Sequence, residues 1–159
     1  MTDFADFAPL TDAIDDLTGA LQPGERRKLA GQVGTRLRTA NAKRLKANVT
    51  PDGEPMAPRK QPGRRLRPGA LRDRKPARMF QSAATPRYLR KQATEDQIEV
   101  GFVGAMARIM RVHQFGLRDT VTRDPASPVV TYEARPGIGL TPDDRLGILA
   151  QVTDHLATR

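Results

Sequence analysis

Apolar positions set a helical period near the start of the chain: Phe7, Leu10, Ile14, Leu17 and Leu21 recur at spacings of three and four, with Asp12, Asp15 and Asp16 on the opposite side. This predicts a helix over 9–21, with Pro9 as its first residue and Pro23-Gly24 ending it. A second stripe, Leu29, Val33, Leu37, Ala40 and Leu45, predicts a helix over 25–47. Its outer side carries Arg26, Arg27, Lys28, Arg36, Arg38, Lys43, Arg44 and Lys46. Gly31 and Gly34 each cost that helix about 1 kcal/mol relative to Ala, or else they let it pack closely against the first helix.

The pattern breaks at the turn signal Pro51-Asp52-Gly53 and resumes near Met79-Phe80. Residues 88–91 and 97–103 read as a hairpin across 93–96, because Ile98, Val100 and Phe102 alternate with Gln97, Glu99 and Gly101. Over 106–117 Ala105, Ile109 and Val112 form a helical seam beside Met106 and Met110, with Arg108, Arg111 and Gln114 on another face. Gly116 in the left-handed conformation stops this helix, and Leu117 folds back toward Val112. A strand over 120–123, a Pro-containing loop over 124–128 and a strand with Val130, Tyr132 and Ala134 on one face follow. Thr141, Pro142 and Asp144 then form a capping-box start to a helix over 142–157, with Leu146, Leu149, Val152 and Leu156 on one side.

The class these elements predict is α+β: a small antiparallel β-sheet flanked by helices, with two N-terminal helices and a long basic extended arm. One structural domain is expected, organised as a helical segment over 1–50, the arm over 51–78 and an α+β core over 79–159.

Composition sharpens the arm. The chain has 159 residues, 38% of them apolar, with 13 Gly and 13 Pro, so part of its length lies outside any core. Between 51 and 78 only Met56, Leu66 and Leu71 are sizeable apolar residues. The same stretch holds Arg59, Lys60, Arg64, Arg65, Arg67, Arg72, Arg74, Lys75 and Arg78. Such a segment cannot offset its ordering entropy by burial, so it should order only against another molecule, a neighbouring subunit first of all. Of the net charge of +9, residues 25–91 carry +16, residues 1–24 carry −5 and residues 92–159 carry −2. A field of that kind attracts nucleic acid, an anionic membrane or an acidic protein surface without choosing among them.

Candidate chemistry is sparse. The absence of cysteine excludes disulfides, thiolate zinc sites and cysteine nucleophiles. The acidic start has no signal-peptide pattern and no run of 18 apolar residues occurs, so a soluble chain with no membrane partner is expected. His113 and His155 are not spaced as a metal pair, and nothing near His113 supplies a nucleophile with an orienting carboxylate. His113 reads as a helix-end residue that caps carbonyls or contacts a partner. The stretch 135–140 lacks the Gly-Lys-Ser/Thr ending of a phosphate loop, and Asp143 and Asp144 would repel phosphate, so it reads as a tight strand-to-helix connection. Asp12, Asp15 and Asp16 do not follow the calcium-loop pattern. The arm has no aromatic residue for base stacking, and no sequence-reading motif occurs, which leaves salt-sensitive phosphate contact as the nucleic-acid option. Catalytic residues, cofactors and metals are all expected to be absent.

Four blocks stand in one order. Glu25-Arg26-Arg27-Lys28 opens a helix, and Pro51-Asp52-Gly53-Glu54-Pro55-Met56-Ala57-Pro58-Arg59-Lys60 follows it. Val112-His113-Gln114-Phe115-Gly116-Leu117 comes next, and Ala134-Arg135-Pro136 leads to Leu140-Thr141 and the last helix. The series resembles the phage virion morphogenesis proteins, the tail-completion proteins of contractile-tailed phages, Mu-like ones included. The resemblance implies a non-enzymatic structural protein that forms a ring, a hexamer, at the head-proximal end of the tail. There it would complete the tail and help join it to the filled head, in the virion tail or neck after assembly in the host cytoplasm. Its implied partners are further copies of itself and the tail-tube, terminator and neck proteins. Pro51, Asp52, Gly53, His113, Gln114, Phe115, Gly116, Arg135 and Pro136 become the family's structural marks, and the arm cations become a contact surface. Residues 61–76 are more basic than the resemblance predicts, so their role is not carried over. Charge alone supports an alternative, a basic accessory protein that binds DNA without sequence preference.

Overall fold

The computed structural model describes residues 8–19, 21–58, 78–122, 124 and 126–158. Phe7, Arg123 and all the arm cations except Arg78 lie outside the described residues. Among the described residues the chain is α+β, with helices α1 (Ala8–Thr18), α2 (Pro23–Ala47), α3 (Ala105–Phe115) and α4 (Pro142–Ala157). Its strands are β1 (Leu89–Ala93), β2 (Ile98–Phe102), β3 (Arg118–Thr120) and β4 (Val129–Thr131). The single sheet expected is instead two separate two-stranded ribbons, β1–β2 and β3–β4. Two compact units result. Unit 1 takes Met1–Ala40, Leu89–Gly101 and Leu140–Arg159, and unit 2 takes Asn41–Tyr88 and Phe102–Gly139.

In unit 1 the core is Leu21, Leu29, Val33, Ile148 and Val152, with Ile14, Leu37, Ile98, Leu140 and Leu156 packed against it. Helix α1 stops three residues before the expected end. The Thr18 hydroxyl donates to the Ile14 carbonyl at 2.8 Å, and the Gly19 N–H takes the Asp15 carbonyl, so Leu21 enters the core from outside the helix. Leu17 is 41% exposed and does not belong to the buried seam. Pro23-Gly24 opens α2 rather than closing α1, because a first-turn residue needs no N–H and Pro has none to offer. Gly31 and Gly34 admit the β1–β2 hairpin rather than α1: a Cβ on Gly34 would lie 3.2 Å from Ile98 Cγ2, and Lys91 Nζ donates to the Gly31 carbonyl.

Helix α4 starts as its sequence predicts. The Thr141 hydroxyl accepts the Asp144 N–H at 3.0 Å, and the Asp144 carboxylate accepts the Thr141 N–H at 3.1 Å. Its inward face, however, is Asp144, Ile148 and Val152 at strict spacings of four, and Leu146 is left 67% exposed.

Unit 2 buries Leu45, Met56, Ala83, Ala84, Met110 and Val112. Helix α3 is turned relative to the expected seam, since Met110 and His113 point inward while Ala105 is exposed and Ile109 is 47% exposed. The reason is the fit at Gly137, where a Cβ would stand 2.7 Å from Met110 Cε and 2.9 Å from Leu45 Cδ2. Gly116 has φ 62° and ψ 42°, and the Leu117 N–H reaches the Val112 carbonyl at 2.9 Å, the long bond of a Schellman cap. That cap starts β3 two residues earlier than expected. Strand β4 spans only Val129–Thr131, all three exposed, so the strand expected to carry Val130, Tyr132 and Ala134 on one face ends before Tyr132.

Candidate functional site

Pro51–Pro58, Val112–Leu117 and Ala134–Pro136, from three of the four blocks, come together in unit 2, whereas Glu25–Lys28 and Leu140–Thr141 belong to unit 1. At the end of α2, Asn48 takes a left-handed φ of 56°, a conformation that Asn tolerates better than most residues. Its carbonyl accepts the Met56 N–H at 2.8 Å, and the Thr50 N–H reaches the Glu54 carbonyl at 2.8 Å. Pro51, Asp52 and Gly53 form the tip between them, and Gly53 supplies the φ of +87° that the turn needs. The Pro51 ring lies against residue 139, where a Cβ on Gly139 would be 2.6 Å from Pro51 Cγ.

The connection after β4 is irregular, so its backbone groups need side-chain partners. Gln114 provides them: Oε1 accepts the N–H of Gly137 at 2.8 Å and of Ile138 at 3.2 Å, while Nε2 donates to the Ile138 carbonyl at 3.0 Å. Buried Asn41 accepts the Gly139 N–H at 3.0 Å, and Arg44 donates to both Asn41 Oδ1 at 2.9 Å and the Gly139 carbonyl at 3.0 Å. Sequence reasoning missed Asn41 and put Arg44 on the outer side of α2, away from these partners. The signal was available, since Asn41 falls midway between Leu37 and Leu45 at spacings of four, on the apolar stripe itself.

Arg135 is 4% exposed and holds the next chain segment. Its Nε donates to the Ala57 carbonyl at 2.8 Å and its Nη2 to the Pro58 carbonyl at 3.1 Å. The remaining bonds go to the Glu133 carbonyl at 3.2 Å and the Glu133 carboxylate at 3.1 Å. A planar guanidinium can bridge these acceptors at once, which an ammonium cannot. Ala57 and Pro58 directly precede Arg59, the first of the arm cations.

His113 lies beside this clamp, its carbonyl accepting the Arg135 N–H at 2.6 Å. The ring stands edge-on to Phe80 at 5.0 Å and to Tyr132 at 5.1 Å. Burial, and then the Arg135 charge, push the imidazole pKa below its ordinary value. Nδ1 has no hydrogen-bond partner among the described residues, so His113 is a packed aromatic and its side chain does not cap carbonyls. Phe80 holds a positive φ of 62°, rare for a residue with a Cβ. Residues 51–58, expected as the start of the arm, are instead folded into unit 2, and the chain is tied to one cluster on either side of residues 59–78, through Arg135 on Ala57 and Pro58 and through His113 on Phe80.

Of the other marked residues, Asp52 is exposed, Pro136 is half-buried and Phe115 is 41% exposed. Arg78 is exposed, whereas Arg59, Lys60, Arg64, Arg65, Arg67, Arg72, Arg74 and Lys75 lie outside the described residues. Among the described residues no group of three or more His, Cys, Asp or Glu could hold a metal, and no helix is long and apolar enough to cross a membrane. The cluster fixes backbone; it brings no nucleophile and base together.

A profile of the phage virion morphogenesis family matches residues 5–157. The chain is 33% identical over 152 residues to tail completion protein S of Escherichia phage P2, covering 95% of this chain and 97% of that protein. No solved structure matches it.

Proposed function

The chain belongs to the phage virion morphogenesis family, and from that premise we propose that it is a structural tail-completion protein that closes into a hexameric ring at the head-proximal end of the tail. There it completes the tail and helps join it to the filled head. Its partners are further copies of itself and the tail-tube, terminator and neck proteins, and it passes from the host cytoplasm during assembly into the virion. The observation that carries this reading is the identity with a tail completion protein along nearly the whole of both chains. The cluster supports it physically, because Arg135 and His113 anchor a segment rich in cations to a rigid base, as a contact arm requires.

The test is twofold. Electron microscopy of the purified protein should show closed rings, and phage lacking it should accumulate filled heads and unjoined tails. A protein that stays monomeric beside tail partners, with normal joined particles formed in its absence, would refute the proposal.

A second reading, a basic accessory that contacts DNA without sequence preference, draws on the +16 carried by residues 25–91. Salt separates the two. Phosphate contacts weaken steeply as salt rises, whereas ring contacts with apolar centres persist.

A further inference from the structure

Eight large apolar side chains are exposed among the described residues, and six of them belong to unit 2: Ile109, Phe115, Leu117, Val121, Val129 and Val130. Ile109 and Phe115 sit on α3, Val129 and Val130 on β4, and Leu117 and Val121 on either side of β3; the β3–β4 ribbon pairs Arg118 with Thr131, Asp119 with Val130 and Thr120 with Val129. Neighbouring strand residues point to opposite faces, so exposed Val129 and Val130 place apolar surface on both sides of the ribbon. A two-stranded ribbon is marginal alone and its outer edges carry unpaired backbone groups. Such a surface is finished by a partner.

Charge indicates which partner. Helix α3 carries exposed Arg108 and Arg111 and no Asp or Glu, and exposed Arg118 opens β3. Arg108 turns onto Asp119 and holds that carboxyl below its usual range, which leaves Arg111 and Arg118 as the cationic rim. Helix α1 has the opposite character: Asp12, Asp15 and Asp16 are exposed, Leu17 is 41% exposed, and the helix contains no Lys or Arg.

We infer that the exposed face of α3 with the β3–β4 ribbon is the seat for the acidic helix α1 of a second copy of this chain. The inference rests on the ring proposed above and names its contact. Two unlike, complementary surfaces on one chain are what a head-to-tail interface needs in order to repeat and close by rotation. Apolar residues supply the centre, and the Asp and Arg side chains set orientation and suppress wrong pairings.

Sedimentation velocity on the full-length protein tests this with two charge-reversed variants, one carrying Asp12→Lys, Asp15→Lys and Asp16→Lys, the other Arg111→Glu and Arg118→Glu. Each should weaken self-association at least about tenfold, since like charges across an interface repel strongly, with circular dichroism unchanged. Placing both sets on one chain should restore assembly. Val129→Asp should weaken assembly without altering the thermal midpoint. Rings that persist in both charge variants would hand the surface to a different protein and overturn the inference while leaving the ring reading intact, as would a combined variant that fails to recover. A wild-type protein that forms no ring overturns both.

Discussion

Arg135 donates its backbone N–H to the carbonyl of His113 at 2.6 Å, while burial and then the Arg135 charge lower the pKa of the neighbouring imidazole. Stability should therefore depend on pH through His113. The folded pKa is depressed, so the unfolded chain binds the proton more readily and stability falls as pH drops through about 6.5, the ordinary histidine value, towards the folded pKa. Urea denaturation between pH 7.5 and 5 should show this loss, and a His113→Phe variant should lose less over the same window. Equal pH slopes in the two proteins would remove His113 as the cause.

The guanidinium of Arg135 satisfies three backbone carbonyls, those of Ala57, Pro58 and Glu133. Arg135→Met should cost about 2–4 kcal/mol, because those part-buried acceptors lose a donor whose own side chain is buried. Arg135→Lys should recover only part of that cost, since an ammonium cannot reproduce the fork. Chemical denaturation checks both, and a fully tolerated Lys would show that charge alone suffices.

Gly137 and Gly139 provide an internal comparison. A methyl at 137 meets the terminal atoms of Met110 and Leu45, while one at 139 meets the ring of Pro51, 2.6 Å from Cγ. Long side chains give way more readily than a proline ring, so Gly139→Ala should be the costlier change, each falling within about 1–3 kcal/mol. Thermal melts of the two variants should rank them in that order.

At the start of α4, Thr141→Ala should cost about 1 kcal/mol. The Thr141 and Asp144 side chains cap each other's backbone, so adding Asp144→Ala should cost less than the sum of the single changes. Additive costs would mean the two bonds act independently.

Local rules made much of this fold legible. The capping box fixed the start of α4, Gly116 fixed the end of α3, and alternation from Ile98 to Phe102 marked the hairpin. What the pattern did not settle was rotation about each helix axis. Leu17, Ile109 and Leu146 satisfy helical spacing as well as their buried neighbours do, and packing alone, such as Met110 against Gly137, chose the inward side. The site was half legible: the Pro51-Asp52-Gly53, His113-Gln114 and Arg135-Pro136 blocks carried the resemblance, but nothing local says that Arg135 reaches back to Ala57 and Pro58. That contact spans 78 positions along the chain, beyond any periodicity. His113 was read by its polarity, whereas the structure uses its ring.

The attachment of Pro58 and Phe80 to one cluster has an evolutionary consequence. A stretch of chain held at both borders by the same scaffold can change in length and composition with little effect on the rest of the fold, because the entropy of closing a chain grows by only about 0.6 kcal/mol per doubling of its length. The cations between residues 59 and 78 can then change as a cassette without disturbing the bonds that Arg135 and His113 make. The basic composition of that stretch is compatible with such an arrangement, which places no packing demand on it.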